Sequence, residues 1–183
     1  MVDPAADRIL VTIQGTTAYI RVVGRGSFKI STSLKEFGRA AIEQGCRYLA
    51  LDMADCVGMD STFMGVLAGL AMDLKRRGGG RIVMVNLSIR TRGLLGTLGL
   101  DQVIEPHMTG SMPDDLKAAF GGGGPAMAPV AGEEESQRST AETMLEAHEN
   151  LVALSPENLP KFKDVLTFLR EDLKNLNSNN KPV

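Results

Sequence analysis

Residues 49–65, LALDMADCVGMDSTFMG, limit the fold more than any other part of this sequence. The stretch opens with a short apolar run, residues 48–53, which reads as a buried strand. With both faces covered, neither alternation nor β-branching is required. Asp55, Gly58 and Asp60 then break the apolar pattern, and Ser61 stands directly before a second pattern with helical spacing: Met64, Leu67, Leu70, Ala71 and Leu74. Asp60 and Ser61 are therefore expected to cap a helix that follows the strand almost at once.

The flanking sequence extends this unit in both directions. Residues 8–14 and 17–23 are β-rich runs separated by Gly15-Thr16, which predicts an antiparallel hairpin. Gly24-Arg25-Gly26-Ser27 reads as a turn; neither a Walker spacing nor a dinucleotide fingerprint is completed there, which argues against a phosphate loop. Ser31 or Ser33 is expected to cap a helix carrying Leu34, Phe37, Ala41 and Ile42, with Gly45 ending it. The helix after Ser61 should run to about Arg77, where Lys75, Arg76 and Arg77 sit at the negative end of its dipole and three glycines follow. Residues 82–85 predict a buried strand. Ser88 can cap a further helix through Leu94, Leu95 and Leu98 to Gly99, and residues 102–104 suggest a short last strand. The order β-β-α-β-α-β-α-β gives an α/β fold: a small mixed sheet with helices, parallel across its crossovers and antiparallel at the first hairpin.

The chain then changes character. A helix over 113–120 is expected to close a first domain spanning 1–120, and the Gly-, Pro- and acid-rich residues 121–138 read as a flexible linker. Residues 139–154 and 159–176 both predict helices, with Ser139 and Pro160 as start signals. One carries Met144, Leu145, His148, Leu151 and Val152 on a face; the other carries Phe162, Val165, Leu166, Leu169 and Leu173. Two such helices cannot bury both faces alone, so they should form a hairpin, dock on the first domain, or pair with a second copy as a homodimer. Residues 177–183 read as a disordered end.

Several function classes are disfavoured. A formal net charge of -2, with the acidic surplus beyond residue 120, is not that of a protein that coats nucleic acid. No apolar run approaches the roughly 18 residues of a membrane span, and residues 1–10 are too polar and acidic for a signal peptide, so a cytoplasmic protein is expected. Cys46 and Cys56 have no metal-ligand or redox spacing and should be reduced thiols. His107 and His148 lie in different segments, neither with a cysteine or carboxylate at ligand spacing, and Asp52, Asp55 and Asp60 do not fit a calcium loop. No enzyme, cofactor or metal is expected. His148 reads as part of a helix face, and the ten methionines as core filler.

The residues L-x-L-D-M-x-x-C-x-x-M-D-S-T-F-M-G-V-L-A, then K-R-R-G-G-G-R-I-V-M-V-N, then R-G-L-L-G-T-L-G-L-D, resemble a STAS domain of the bacterial anti-sigma factor antagonist family, over about residues 7–106. The resemblance implies a partner-switching protein. Its unphosphorylated form binds a serine-kinase anti-sigma factor and so frees the sigma factor, and that kinase inactivates it by phosphorylating the serine after the aspartate, here Ser61, with Thr62 as the alternative. A cognate phosphatase is the implied counter-partner. The chain departs from the family pattern at Phe63, where a small glycine is usual, and near Ser27, where aspartate is common. Asp60, Ser61, Thr62, Phe63, Met64 and Ser27 form the expected partner-binding set. The alternative reading is a STAS docking module of a transporter or sensory complex that is never phosphorylated. A small-molecule or nucleotide sensor would need a polar-lined cavity that the sequence does not supply.

The chemistry at Ser61 stands apart from the family name. A phosphoryl group at a helix N-terminus meets free amides and the positive dipole end, so the domain tolerates it; its charge of about -1.5 to -2 acts on the partner. The competing reading of Asp60, Ser61 and Thr62 is helix capping alone, which contributes roughly 0.5 to 2 kcal/mol. Because the strand and helix pattern closes before the linker, a chain cut at Gly121 is expected to be a soluble monomer that melts cooperatively. Circular dichroism and light scattering check this; an unfolded or aggregated fragment would place the tail in the core.

Overall fold

The computed structural model describes residues 6–130 and 135–178. Strands β1 (Arg8–Gln14) and β2 (Thr17–Gly26) pair antiparallel through a turn in which Gly15 takes a φ of 57°, a conformation open to glycine without strain. β2 continues through the segment read as a turn, because Gly24, Arg25 and Gly26 pair parallel with a strand the sequence pattern did not reveal, β4 (Cys56–Met59). Four residues containing a glycine carry no legible period, and their partner lies more than thirty residues away in sequence. Helix α1 (Phe28–Glu43) therefore starts immediately, with Ser27 at its N-cap instead of Ser31 or Ser33. Ser31 turns its hydroxyl back to donate to the Ser27 carbonyl at 2.8 Å.

Strand β3 (Tyr48–Asp52) is followed by β4, helix α2 (Ser61–Arg76), strand β5 (Arg81–Leu87) and helix α3 (Ile89–Thr97). The cap expected at Ser88 is a reciprocal one: its hydroxyl accepts from the Thr91 amide while the Thr91 hydroxyl accepts from the Ser88 amide. Gly99 is left-handed and leads into a 3-10 turn at Leu100–Gln102, so the last strand expected over 102–104 begins later, as β6 (Ile104–Met108). Helix α4 (Asp114–Phe120) closes this part of the chain, and β7 (Ala128–Pro129) then bonds to the outer edge of β1.

The strands run in the order β6-β5-β3-β2-β1-β7, with β4 attached to the end of β2. β2, β3, β5 and β6 are parallel, and β1 is antiparallel to both neighbours. Alternation along β3 sends Leu49 and Leu51 into the larger core beside Leu67 and Leu70 of α2, and Ala50 into a smaller one beside Leu116 and Phe120 of α4. Both faces of β3 are thus covered, which is why it reads as a continuous apolar run.

The tail forms helices α5 (Gln137–Leu154) and α6 (Leu159–Ser178). α5 packs on α2 and α1, and α6 packs on α5. Ala147 and Leu151 belong to the same buried cluster as Leu67 and Leu70, so the core crosses the boundary expected at residue 120, and a chain cut at Gly121 would expose part of that cluster, against the premise of the soluble fragment expected from the sequence. Glu133, Glu134 and residues 179–183 lie outside the described residues, whereas Asn177 and Ser178, expected in the disordered end, continue α6.

The buried face of α5 is Ala141, Thr143, Ala147, His148 and Leu151; Met144, Leu145 and Val152 of the expected face are only half-buried. Glycines explain this rotation toward small residues. A Cβ at Gly65 of α2 would fall 2.2 Å from the Ala147 carbonyl oxygen, and one at Gly69 would fall 2.4 Å from Asn150 Nδ2. The two helices touch at backbone distance, where a larger side chain has no room. Gly65→Val is expected to lower stability by about 1–3 kcal/mol through overpacking. A urea unfolding midpoint equal to that of the parent chain would show the contact to be slack.

Candidate functional site

The N-termini of α1 and α2 meet at Asp60. Its Oδ1 accepts from the Phe63 amide at 2.9 Å, the expected cap of α2, while its Oδ2 accepts from the Phe28 amide at 2.8 Å and so caps α1 as well. The Asp60 amide donates to the Gly26 carbonyl at 2.9 Å, fixing the loop to the end of β2. Ser27, at the N-cap of α1, makes no capping bond; its hydroxyl is buried and has no hydrogen-bond partner among the described residues. One carboxylate thus does the work of two caps, and the serine near the position where the family pattern carries aspartate is silent.

The structure separates the expected partner-binding residues. Asp60 and Ser61 are half-buried and reach the surface. Thr62 is 3% exposed, Phe63 0%, Met64 4% and Ser27 6%, so these four side chains are not surface groups, contrary to the sequence expectation. Phe63 accounts for much of this: its ring packs against Gly26, where a Cβ would meet it at 3.0 Å, and it fills the space beneath the loop. The buried ring offers a partner no contact outside. Burial also leaves Ser61, not Thr62, as the accessible hydroxyl.

The residue that sequence reasoning undervalued is His148. Its Nε2 lies 2.9 Å from Ser61 Oγ, and its Nδ1 lies 2.7 Å from the Met144 carbonyl oxygen. A carbonyl only accepts, so Nδ1 carries the proton there; in the neutral ring Nε2 is then the acceptor and the Ser61 hydroxyl donates to it. Phe162 of α6 closes the other side of the imidazole edge-on, with centroids 5.0 Å apart. The tail therefore reaches the first residue of α2 with a buried, fully oriented histidine.

Around this junction, at the carboxyl end of the parallel strands, three apolar side chains are exposed: Phe28 opening α1, Val57 in β4 and Ile89 opening α3. Arg25, Lys29 and Arg90 are exposed beside them in the chain. Asp52 and Asp55 do not join Asp60 in a cluster. Asp52 is 3% exposed and accepts from Arg21 Nε at 3.0 Å, Asn86 Nδ2 at 2.8 Å and the Ala54 amide at 3.1 Å, a set of bonds that ties strand ends together. Cys46 and Cys56 are free thiols, and burial pushes the Cys56 thiol up.

The family described as "Mlab, STAS domain" matches residues 9–106, more than half of the chain. No curated protein is a significant match to the sequence. Among solved structures, the fold is similar to that of the anti-sigma factor antagonist SpoIIAA in its unphosphorylated form, at 20% identity and a TM-score of 0.51, over 62% of this chain and 96% of that one. It is likewise similar to an anti-sigma factor antagonist from Mycobacterium paratuberculosis, at 19% identity and a TM-score of 0.51, over 64% of this chain and 97% of that one. Among the described residues, no helix is long and apolar enough to cross a membrane.

Asp60→Ala removes a cap from two helices at once. The expected loss is about 1–3 kcal/mol of stability, more than a single cap usually contributes. Thermal or urea unfolding checks it, and a loss below a few tenths of a kcal/mol would show that water replaces both bonds.

Proposed function

We propose that this chain, which belongs to the STAS domain family, is an anti-sigma factor antagonist that works by partner switching. In its unphosphorylated form it binds a serine-kinase anti-sigma factor, and phosphorylation of Ser61 ends that binding. The observation that carries this reading is the placement of Ser61. It is the first residue of α2, directly after a capping aspartate and half-exposed, in a fold like that of an antagonist solved in an unphosphorylated form. Transfer from ATP forms the Oγ–P bond, breaks the bond between the β- and γ-phosphates, and releases ADP and the hydroxyl proton to a base. On this reading the kinase supplies the catalysis, and this cytoplasmic chain needs neither cofactor nor metal.

The physical effect of the modification is a change of surface charge at a preorganised edge. Phe28, Val57 and Ile89 offer a partner apolar contact around the loop, and Asp60 already places one carboxylate there. Adding about -1.5 to -2 charge beside it turns a tolerable hydroxyl into a doubly acidic spot that a fitted partner must desolvate. A phosphatase would restore the binding form. One observation favours the alternative, a docking module that is never phosphorylated: the Ser61 hydroxyl is already engaged by His148.

The test is direct. Serine-kinase anti-sigma factors of the same genome, incubated one by one with the chain and ATP, should yield one that modifies Ser61, read by mass spectrometry. Ser61→Ala should abolish the modification, and Ser61→Asp should weaken binding to that kinase about tenfold or more without a large loss of folded stability. Modification elsewhere with Ser61 untouched would sink the assignment; tight binding with no phosphoryl transfer would favour the docking module.

A further inference from the structure

The α5–α6 hairpin lies outside the family match, yet it sits on the residue that the family reading makes central. We propose that the hairpin is a displaceable cover on Ser61, such that a phosphoryl group on Ser61 and a docked α5 exclude each other. This rests on Ser61 being the acceptor, and adds a regulator carried in the same chain.

Three features remove the slack that would let both coexist. The Ser61 Oγ to His148 Nε2 distance is 2.9 Å, a hydrogen bond with no room for a phosphorus atom and its oxygens between the two. The imidazole has nowhere to go: Nδ1 is held by the Met144 carbonyl, Phe162 closes its other side, and the residue is 3% exposed. α5 meets α2 at backbone distance at Ala147 and Gly65, so any shift that makes room beside Ser61 opens that close packing. With the ring neutral, a phosphorylated Ser61 must therefore push α5 away, or rotate outward and leave Nε2 buried without a partner; both weaken the docked state.

The contact also has the composition of one that can open. Around Ala141, Ala147 and Leu151 it is polar: Thr143 Oγ1 meets Thr32 Oγ1 at 3.0 Å and Lys35 Nζ at 2.9 Å, Glu146 pairs with Lys35 and Arg39, and Asn150 Nδ2 donates to the Gly65 carbonyl at 3.3 Å. Release would uncover the Gly65 and Gly69 furrow of α2 together with Lys35 and Arg39 of α1. β7, bonded to β1 between α4 and α5, keeps a released hairpin near its seat, so redocking after dephosphorylation is intramolecular.

The experiment uses the full chain and needs no kinase in its first arm. Phosphoserine is encoded at position 61, and hydrogen exchange followed by mass spectrometry compares it with the unmodified chain. Peptides from α5 should exchange about tenfold faster or more, while β3 and β5 keep their protection. Unchanged protection of α5 would overturn the proposal. So would equal loss across β3, β5 and α5, which would make the hairpin an inseparable part of the core. The second arm locks the cover with a disulfide between Gly69→Cys and Asn150→Cys in a Cys56→Ser background. With the kinase that modifies the parent chain, the reduced form should take phosphate at Ser61 and the oxidised form should not; equal modification of both overturns the cover. If no kinase modifies the parent, the acceptor assignment fails, and the exchange arm still decides whether phosphate and α5 are compatible.

Discussion

A helix with no charged residue over its first three turns leaves a face in water only at a cost, and α2 is such a helix. From Ser61 to Met72 it carries no charged side chain, and ten of its sixteen residues are buried. The sheet and α1 account for the large residues on one side, Leu67, Leu70 and Leu74. The other side is small, with Gly65 and Gly69 one turn apart, and something equally close-fitting has to cover it. α5 does so with Ala147 and Asn150, and α6 in turn covers α5. The whole tail is arranged by the missing polarity of one helix.

The second organising element is the junction below Ser61. β4 pairs with the end of β2, which brings Gly26 under the loop, and Phe63 fills the gap over Gly26. That packing leaves Asp60 between two helix N-termini, where its two oxygens satisfy one amide from each. A carboxylate between two positive dipole ends is favourably placed. It also ties the start of α2, where Ser61 stands, to Phe28 at the start of α1.

Much of this was legible in the sequence where the signal is local. The first hairpin, β3, β5 and the Asp60 and Ser88 caps follow from periodicity and capping residues, and both tail helices follow from periodicity, although α5 is capped by Ser136 and not by the Ser139 expected to start it. The misses share a cause. β4 is short and defined only by a distant partner, and the early start of α1 depends on Asp60, thirty-two residues away, supplying the cap that Ser27 does not. Phe63 and Met64 read as partner contacts because they stand beside Ser61, yet helical phase turns them inward. His148 read as one more residue on an amphipathic face, since nothing in a single sequence says which helix that face will meet. The uncharged run of α2 and its paired glycines were the available clue that α5 would lie across it; they do not identify which tail residue would land on Ser61.

How firmly the tail is held follows from what the contact is made of. The ion pairs of Glu146 with Lys35 and Arg39 are partly exposed, and such pairs contribute little, about 0–1 kcal/mol. Leu151, fully buried, contributes about 1.5–3 kcal/mol, whereas Ala147 has little side chain to bury. The hydrogen bonds of Ser61, Asn150 and Asn158 add about 0.5–1.5 kcal/mol each. Leu154 and Phe162, partly buried against the same cluster, add to this, so the hold is several kcal/mol. Turning a 99:1 equilibrium into 1:99 takes about 5.5 kcal/mol, so an interface of this size lies within reach of one charged modification placed at its edge. Had α5 met α2 through leucines along its whole length, no single group at Ser61 would suffice to move it.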